Sequence, residues 1–173
     1  MNRRKTKPIK IKDIIIGGSN HIYIQSMTTT KTSDVLKTGL EIKKLEKAGA
    51  ELIRVAVLDL DDAKALGEIK SNMKVPLVAD IHFDYKLALE ALNQGIDKLR
   101  LNPGNIKNPK HIKLIVDKAK ERKIPIRIGV NSGSLPNNLA PTANNLVKVA
   151  KDEVEILESL GFYDIIISLK STD

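Results

Sequence analysis

Cysteine and tryptophan are absent from these 173 residues, and aromatic residues make up only 3%. Without a thiol the chain cannot build a disulfide framework, use a cysteine nucleophile, or hold a zinc knuckle or an iron–sulfur cluster on its own cysteines. With so few aromatics it is poorly supplied with stacking platforms for single-stranded nucleic acid. No stretch approaches the roughly 18 uninterrupted apolar residues of a membrane span, so no membrane partner is expected. The N-terminus has no apolar signal-peptide core and is not serine-rich; no leader is indicated, and a cytoplasmic location is expected. Acidic residues are missing from the first 12 positions, where Arg3, Arg4, Lys5, Lys7, Lys10 and Lys12 stand. Setting those six aside leaves 23 basic against 21 acidic groups, so the net charge of +8 is mostly an N-terminal arm on a near-neutral body. Such an arm can bind nucleic acid or anionic lipid, but is more often a solvated lead-in, and no nucleic-acid partner is expected.

What is present suits one domain, since 42% apolar residues supply a core. Apolar, β-branched runs at 22–24, 52–57, 76–81, 98–101, 125–130 and 165–169 alternate with helical patterns at 34–48, 61–71, 85–94, 109–123 and 142–160. Ser33 is an expected N-cap and Gly49 an expected stop for the first helix, in which Val35, Leu36, Leu40, Ile42 and Leu45 recur at helical spacing. An internal echo supports the alternation. Ala48-Gly49-Ala50-Glu51-Leu52-Ile53-Arg54 and Gln94-Gly95-Ile96-Asp97-Lys98-Leu99-Arg100 each run from a helix-ending glycine to an arginine inside a strand. Strand–helix alternation predicts a parallel sheet with crossover helices. A closed eightfold barrel takes about 250 residues, so 173 residues fit about six strands. An open dinucleotide-binding sheet should show a glycine-rich turn after its first strand, and Thr28-Thr29-Thr30-Lys31-Thr32 contains none. The expected fold is therefore α/β, an incomplete TIM (β/α)8-type barrel over 21–173. Residues 1–20 form a basic arm, with either a short hairpin that covers the barrel's amino end or a frayed lead-in.

Strand parity selects the candidate site. The helix-covered face of such a sheet must be apolar, which Ile53/Val55/Val57, Leu77/Ala79/Ile81, Leu99/Leu101, Ile126/Ile128/Val130 and Ile165/Ile167/Leu169 satisfy. The opposite face then carries Arg54, Asp80 with His82, Lys98 with Arg100 and Asn102, Arg127 with Gly129 and Asn131, and Ser168 with Lys170. Arg54, Arg100, Arg127 and Lys170 would converge on the mouth against one obvious carboxylate, Asp80. Unpaired cations inside a barrel are costly. An anion with more than one negative charge, such as a diphosphate, would account for them; a buried network around Asp80 is the competing account. His82 suits either an acid/base or a structural role. Asn131-Ser132-Gly133-Ser134 could offer backbone N–H groups to an anion. His21 and His111 read as surface residues. No triad or metal-ligand spacing stands out.

Five segments together resemble one family. They are Ile24-Gln25-Ser26-Met27-Thr28, Pro76-Leu77-Val78-Ala79-Asp80-Ile81-His82-Phe83-Asp84-Tyr85, Lys98-Leu99-Arg100-Leu101-Asn102-Pro103-Gly104-Asn105-Ile106, Pro125-Ile126-Arg127-Ile128-Gly129-Val130-Asn131-Ser132-Gly133-Ser134-Leu135 and Ile167-Ser168-Leu169-Lys170-Ser171-Thr172-Asp173. Their order and register are similar to the 4-hydroxy-3-methylbut-2-en-1-yl diphosphate synthase family of the methylerythritol phosphate route to isoprenoids. The departure is Ser171-Thr172-Asp173, where that family usually has Ala-Ser-Asp. The resemblance implies a barrel like that of dihydropteroate synthase, followed in the family by an iron–sulfur domain that this chain lacks. It implies 2-C-methyl-D-erythritol 2,4-cyclodiphosphate as substrate, a [4Fe-4S] cluster not bound by this chain, ferredoxin or flavodoxin as electron donor, and a homodimer for the complete enzyme. By motif match, Arg54, Arg100, Arg127 and Lys170 would hold the diphosphate, helped by Asn102, Asn131 and Ser168, with Asp80 and His82 as further candidates. The chain alone is then expected neither to bind a cluster nor to turn over. The alternative is a pterin-diphosphate-binding barrel enzyme like dihydropteroate synthase, and a basic nucleic-acid module is a more distant one.

Overall fold

The computed structural model describes residues 5–18, 21–106, 108–136 and 138–171. Arg3 and Arg4 of the arm and the closing Thr172-Asp173 lie outside them. Six parallel strands form one sheet in sequence order: β3 (Gln25–Met27), β4 (Leu52–Ala56), β5 (Leu77–Asp80), β6 (Lys98–Arg100), β7 (Ile126–Asn131) and β8 (Ile165–Lys170). Five helices connect them: α1 (Val35–Lys47), α2 (Leu60–Ser71), α3 (Tyr85–Asn93), α4 (Pro109–Arg122) and α5 (Ala143–Ser159). This is the expected incomplete α/β barrel, curled and open between β3 and β8.

Local chemistry sets the helix limits. Asp34, Asp59, Asp84, Asn108 and Thr142 each accept a hydrogen bond at a helix start from a backbone N–H of the first turn. Ser33 is therefore not the cap of α1. Its N–H instead donates to Asp62 Oδ1 at 2.8 Å, and Asp34 Oδ1 caps the helix by accepting from Lys37 N at 3.1 Å. Gly49 and Gly95 stand at φ +97° and +79°, a conformation that costs glycine nothing. The next residue closes each motif: Ala50 N donates to Leu45 O and Ile96 N to Ala91 O. The echo extends to the acids that follow, because Glu51 accepts from Ile24 N and Asp97 from Leu77 N, tying each helix exit to the start of the preceding strand.

The apolar parity of β4 to β7 packs under the helices in one buried cluster with Leu66, Leu92, Ile115 and Leu157. Three details differ from expectation, one being that Ile167 and Leu169 of β8, assigned to the covered face, are exposed. The first strand is Gln25–Met27, three residues later than the apolar run at 22–24, and Ile22 is 70% exposed. As an edge strand with β4 as its one neighbour, it has no second side on which those isoleucines could be covered. In α1, Leu36 and Leu40 face outward, and Ile42 is the apolar residue that is fully buried.

At the amino end, β1 (Ile9–Ile11) and β2 (Ile14–Ile16) pair antiparallel around Lys12-Asp13, with Lys12 in the left-handed region that two-residue hairpins require. Ile11 is completely buried against Leu52 and Val78, beside Ile166. These three residues belong to the parity opposite the helices. The hairpin thus plugs the inner face at its lower end and leaves the upper end for polar side chains.

Candidate functional site

Register places the inner side chains in tiers. Ala56, Asp80, Arg100, Arg127 and Ile166 lie side by side across five strands, and Met27, Arg54, Val78 and Lys98 form the tier below. Gly129 pairs with Ser168 and Asn131 with Lys170 in the tiers above, toward the carboxyl ends where barrel sites form. All nine candidate residues from the sequence therefore sit on one face of one sheet or, for His82 and Asn102, just past its carboxyl edge.

Asp80 is the hub. Arg100 Nη1 lies 3.0 Å from Asp80 Oδ1, Arg54 Nε 3.6 Å from Oδ2, and His82 Nε2 3.4 Å from Oδ1. The Arg100 approach is out of line for a hydrogen bond, and both atoms are buried without one. The same Nε and Nη2 of Arg54 donate to Met27 Sδ at 3.1 and 3.0 Å, a weak acceptor. Arg127 pairs with no carboxylate among the described residues. Burial, and then the charges of Arg54 and Arg100, push its guanidinium below the usual arginine range, with only Asp80 opposing. The Arg100 and Arg127 guanidiniums flank Gly129: a Cβ there would stand 3.5 Å from Arg100 Nε and 3.7 Å from Arg127 Cζ. One carboxylate is thus shared among a crowd of cations, which accounts for only part of their charge.

The polar candidates differ in how committed they are. Asn102 is 1% exposed, and its amide donates to Gly129 O at 2.7 Å and accepts from Gly129 N at 3.0 Å. It extends the β6–β7 ladder with a side chain in place of backbone. Asn131 and Ser168 are half-buried, and Lys170 is exposed on the edge strand. Residues 132–134 form a short 3-10 turn. His21 is exposed beside Glu51, and the half-buried His111 stacks on Tyr85.

Two residues escaped the sequence reading. Lys98 had been placed on the inner face but not counted as a site cation. It is 2% exposed, and burial followed by the charges of Arg127 and Arg54 lowers its amine to about 7. Glu153 in α5 is 5% exposed, with Oε2 lacking any hydrogen bond and Oε1 packed against Gly104. Burial raises its carboxyl to about 7 against the pull of Arg100. It joins His82, Arg100, Asn102, Asn105 and Asn131 around a cleft of about 620 Å³ at the carboxyl ends of the strands. The signal for it was positional: Glu153 falls in step with Leu146, Ala150 and Leu157 on the buried stripe of its helix.

Glu153 carries a pH prediction. A carboxyl raised in the folded state costs stability as pH climbs from its ordinary 4.5 through about 7, and the cost is constant above that. Glu153→Gln should therefore match the parent near pH 4 and exceed it by about 3 kcal/mol near pH 8. Urea unfolding at the two pH values checks this; an equal difference at both would refute the buried acid.

A larger groove of about 870 Å³ opens at the opposite, amino end between the hairpin and the strand starts. Its Lys12 and Lys70 are engaged with Lys74 O and Asp97, and Asp97, Glu121 and Asp164 line it together with Lys10, Arg122 and Lys123, so its charge is mixed. The chain does not fit an iron–sulfur cluster, since it has no cysteine, and among the described residues no three His, Asp or Glu gather to hold a metal. Nor is any helix among them long and apolar enough to cross a membrane.

Comparison with known proteins agrees with the geometry. The profile of the family described as "GcpE TIM-barrel domain" matches residues 6–173. A 4-hydroxy-3-methylbut-2-en-1-yl diphosphate synthase (flavodoxin) from Bacillus cytotoxicus is 52% identical over 99% of this chain and 48% of its own length. The protein of the same name from an Exiguobacterium species is 53% identical over 100% of this chain and again 48% of its own. The chain spans about half the length of the curated relatives it matches. Among solved structures, a Xanthomonas albilineans dihydropteroate synthase superposes with TM-score 0.69 at 10% identity, over 92% of this chain and 63% of that one. A 3-deoxy-D-arabino-heptulosonate 7-phosphate synthase from Thermotoga maritima gives 0.64 at 12% identity, over 98% and 59%. At such identities these structures share the barrel fold.

Proposed function

The chain belongs to the GcpE TIM-barrel family, and from that premise we propose that its inner face holds the diphosphate of a small cyclic diphosphate substrate. The observation that carries this reading is the surplus of cations around Asp80. Arg100 and Arg127 flank Gly129, so two guanidinium forks reach one region, a geometry suited to paired phosphate oxygens. Arg54 would add a third, and Lys170 a point charge from the edge strand. Asn131 and Ser168 would bond the sugar-derived hydroxyls or phosphate oxygens. Asn102 would act chiefly by holding Gly129, and Asp80 by aiming Arg54 and Arg100. His82, exposed beside Asp80, would donate to the ligand.

In this reading the substrate is 2-C-methyl-D-erythritol 2,4-cyclodiphosphate. The reaction is its two-electron reductive opening, with loss of a hydroxyl as water, to 4-hydroxy-3-methylbut-2-enyl diphosphate. The complete enzyme would be a cytoplasmic homodimer reduced by flavodoxin or ferredoxin. A [4Fe-4S] cluster would supply its redox chemistry, held by ligands this chain does not contain. These residues bind and orient the diphosphate and neutralise its charge. The pterin-diphosphate alternative has no observation of its own, since the likeness to dihydropteroate synthases extends to fold alone.

Calorimetric titration tests the reading. Inorganic pyrophosphate should bind the chain more tightly than phosphate, and the affinity should fall with salt as expected for charge pairing. Equal, weak binding of both anions would sink it.

A further inference from the structure

Lys98 is the cation that the diphosphate reading does not use. It shares a tier with Met27, Arg54 and Val78, and Val78 packs with Leu52 and Ile11 of the apolar plug. Its one hydrogen bond among the described residues is to Gln25 Oε1 at 3.0 Å, across the sheet opening from β6 to β3. No carboxylate among the described residues pairs with it. The charged groups that face it are Arg54 from β4 and Arg127 from β7, with Arg100 two residues along its own strand. Asp80 on β5 is the nearest acid in the register and is already held by Arg54 and Arg100. From β3 it meets the uncharged Gln25.

We propose that Lys98 is a proton-taking positioning residue, which gains a proton from solvent as a diphosphate settles on Arg54 and Arg127. The proposal rests on the diphosphate reading and adds a proton to it. In the free protein, the field of the surrounding arginines and the loss of hydration both disfavour a further buried charge. A bound dianion reverses that field, and the charged ammonium then becomes the favoured form. The amine gains one proton, no covalent bond changes, and the new charge holds the two arginines' ligand from below. The free amine at about 7 is consistent with a group poised for this change. The sign follows from linkage: binding that takes up a proton is favoured at lower pH, so affinity should fall by up to about tenfold per pH unit above neutrality.

The test is calorimetry of pyrophosphate binding near pH 8 in two buffers of different ionisation enthalpy, on the whole chain and on Lys98→Met. Methionine removes the charge. Pyrophosphate exchanges protons of its own, so the readout is the difference. The parent should take up approaching one proton more than the variant. In the parent alone, the ¹³Cε resonance of Lys98 should titrate at higher pH when pyrophosphate is saturating. Equal uptake by parent and variant, or an unmoved Lys98 titration, would overturn the role of Lys98 and leave the diphosphate reading standing. Absence of pyrophosphate binding by the parent would overturn both.

Discussion

Asn102→Leu is expected to lower the stability of the chain by about 3 kcal/mol in the absence of any ligand. Leucine keeps the number and branching of the side-chain heavy atoms, so no cavity forms. What is lost is the pair of bonds that Asn102 makes to both backbone groups of Gly129. Each becomes a buried, unsatisfied polar group, at about 1–3 kcal/mol apiece. Gly129 is buried and its neighbours on that side are the Arg100 and Arg127 guanidiniums, which are donors and cannot serve the vacated N–H. Measured against a typical total stability of about 5–15 kcal/mol, the loss is large. The urea midpoint should drop at unchanged slope. A midpoint within error of the parent would mean that Asn102 serves ligand contact alone and that the β6–β7 ladder does not depend on it.

That role was half legible in the sequence. Alternation along Leu99, Arg100, Leu101 and Asn102 puts the asparagine on the inner face, and it lies there. Which atoms it spends on Gly129 depends on the β6–β7 register, which pairs Arg100 with Arg127, and a single strand's pattern carries no register. The same limit hid Lys98. Parity brought it to the inner face, but its burial and its bond to Gln25, 73 residues away in sequence, are tertiary and leave no trace in the strand's own pattern. Conversely, parity reached Arg54, Arg100 and Arg127 with no knowledge of the fold beyond a helix-covered parallel sheet, because a covered face tolerates apolar side chains alone. The misplaced first strand shows where the pattern fails. Ile22 and Ile24 are apolar and β-branched, yet they precede an edge strand and stay exposed, while the pairing strand is Gln25-Ser26-Met27. Propensity describes residues that fit a half-buried pleat, and at this edge the neighbour that would half-bury them is not among the described residues.

Arg127→Ala should separate binding from stability more sharply than any other change at the site. In the free chain Arg127 has no carboxylate partner among the described residues, and its neighbours Arg54 and Arg100 repel it. Removing it relieves a buried like-charge contact, so the unliganded fold should be unchanged or slightly more stable. Pyrophosphate, in contrast, loses a charged hydrogen-bonding partner worth about 1.5–3 kcal/mol, roughly a 10- to 100-fold rise in dissociation constant. Arg100→Ala should behave differently. It removes the same class of ligand contact, but it also strips Asp80 of its 3.0 Å partner and leaves a buried carboxylate to Arg54 and His82 alone. Breaking a buried pair from one side is costly, so this variant should lose both affinity and about 2–3 kcal/mol of stability. Thermal unfolding and calorimetry on the two variants give a two-by-two result. If Arg127→Ala instead destabilises the free chain as much as Arg100→Ala and leaves pyrophosphate affinity intact, the cations form a structural network around Asp80, and the anion site must be sought elsewhere.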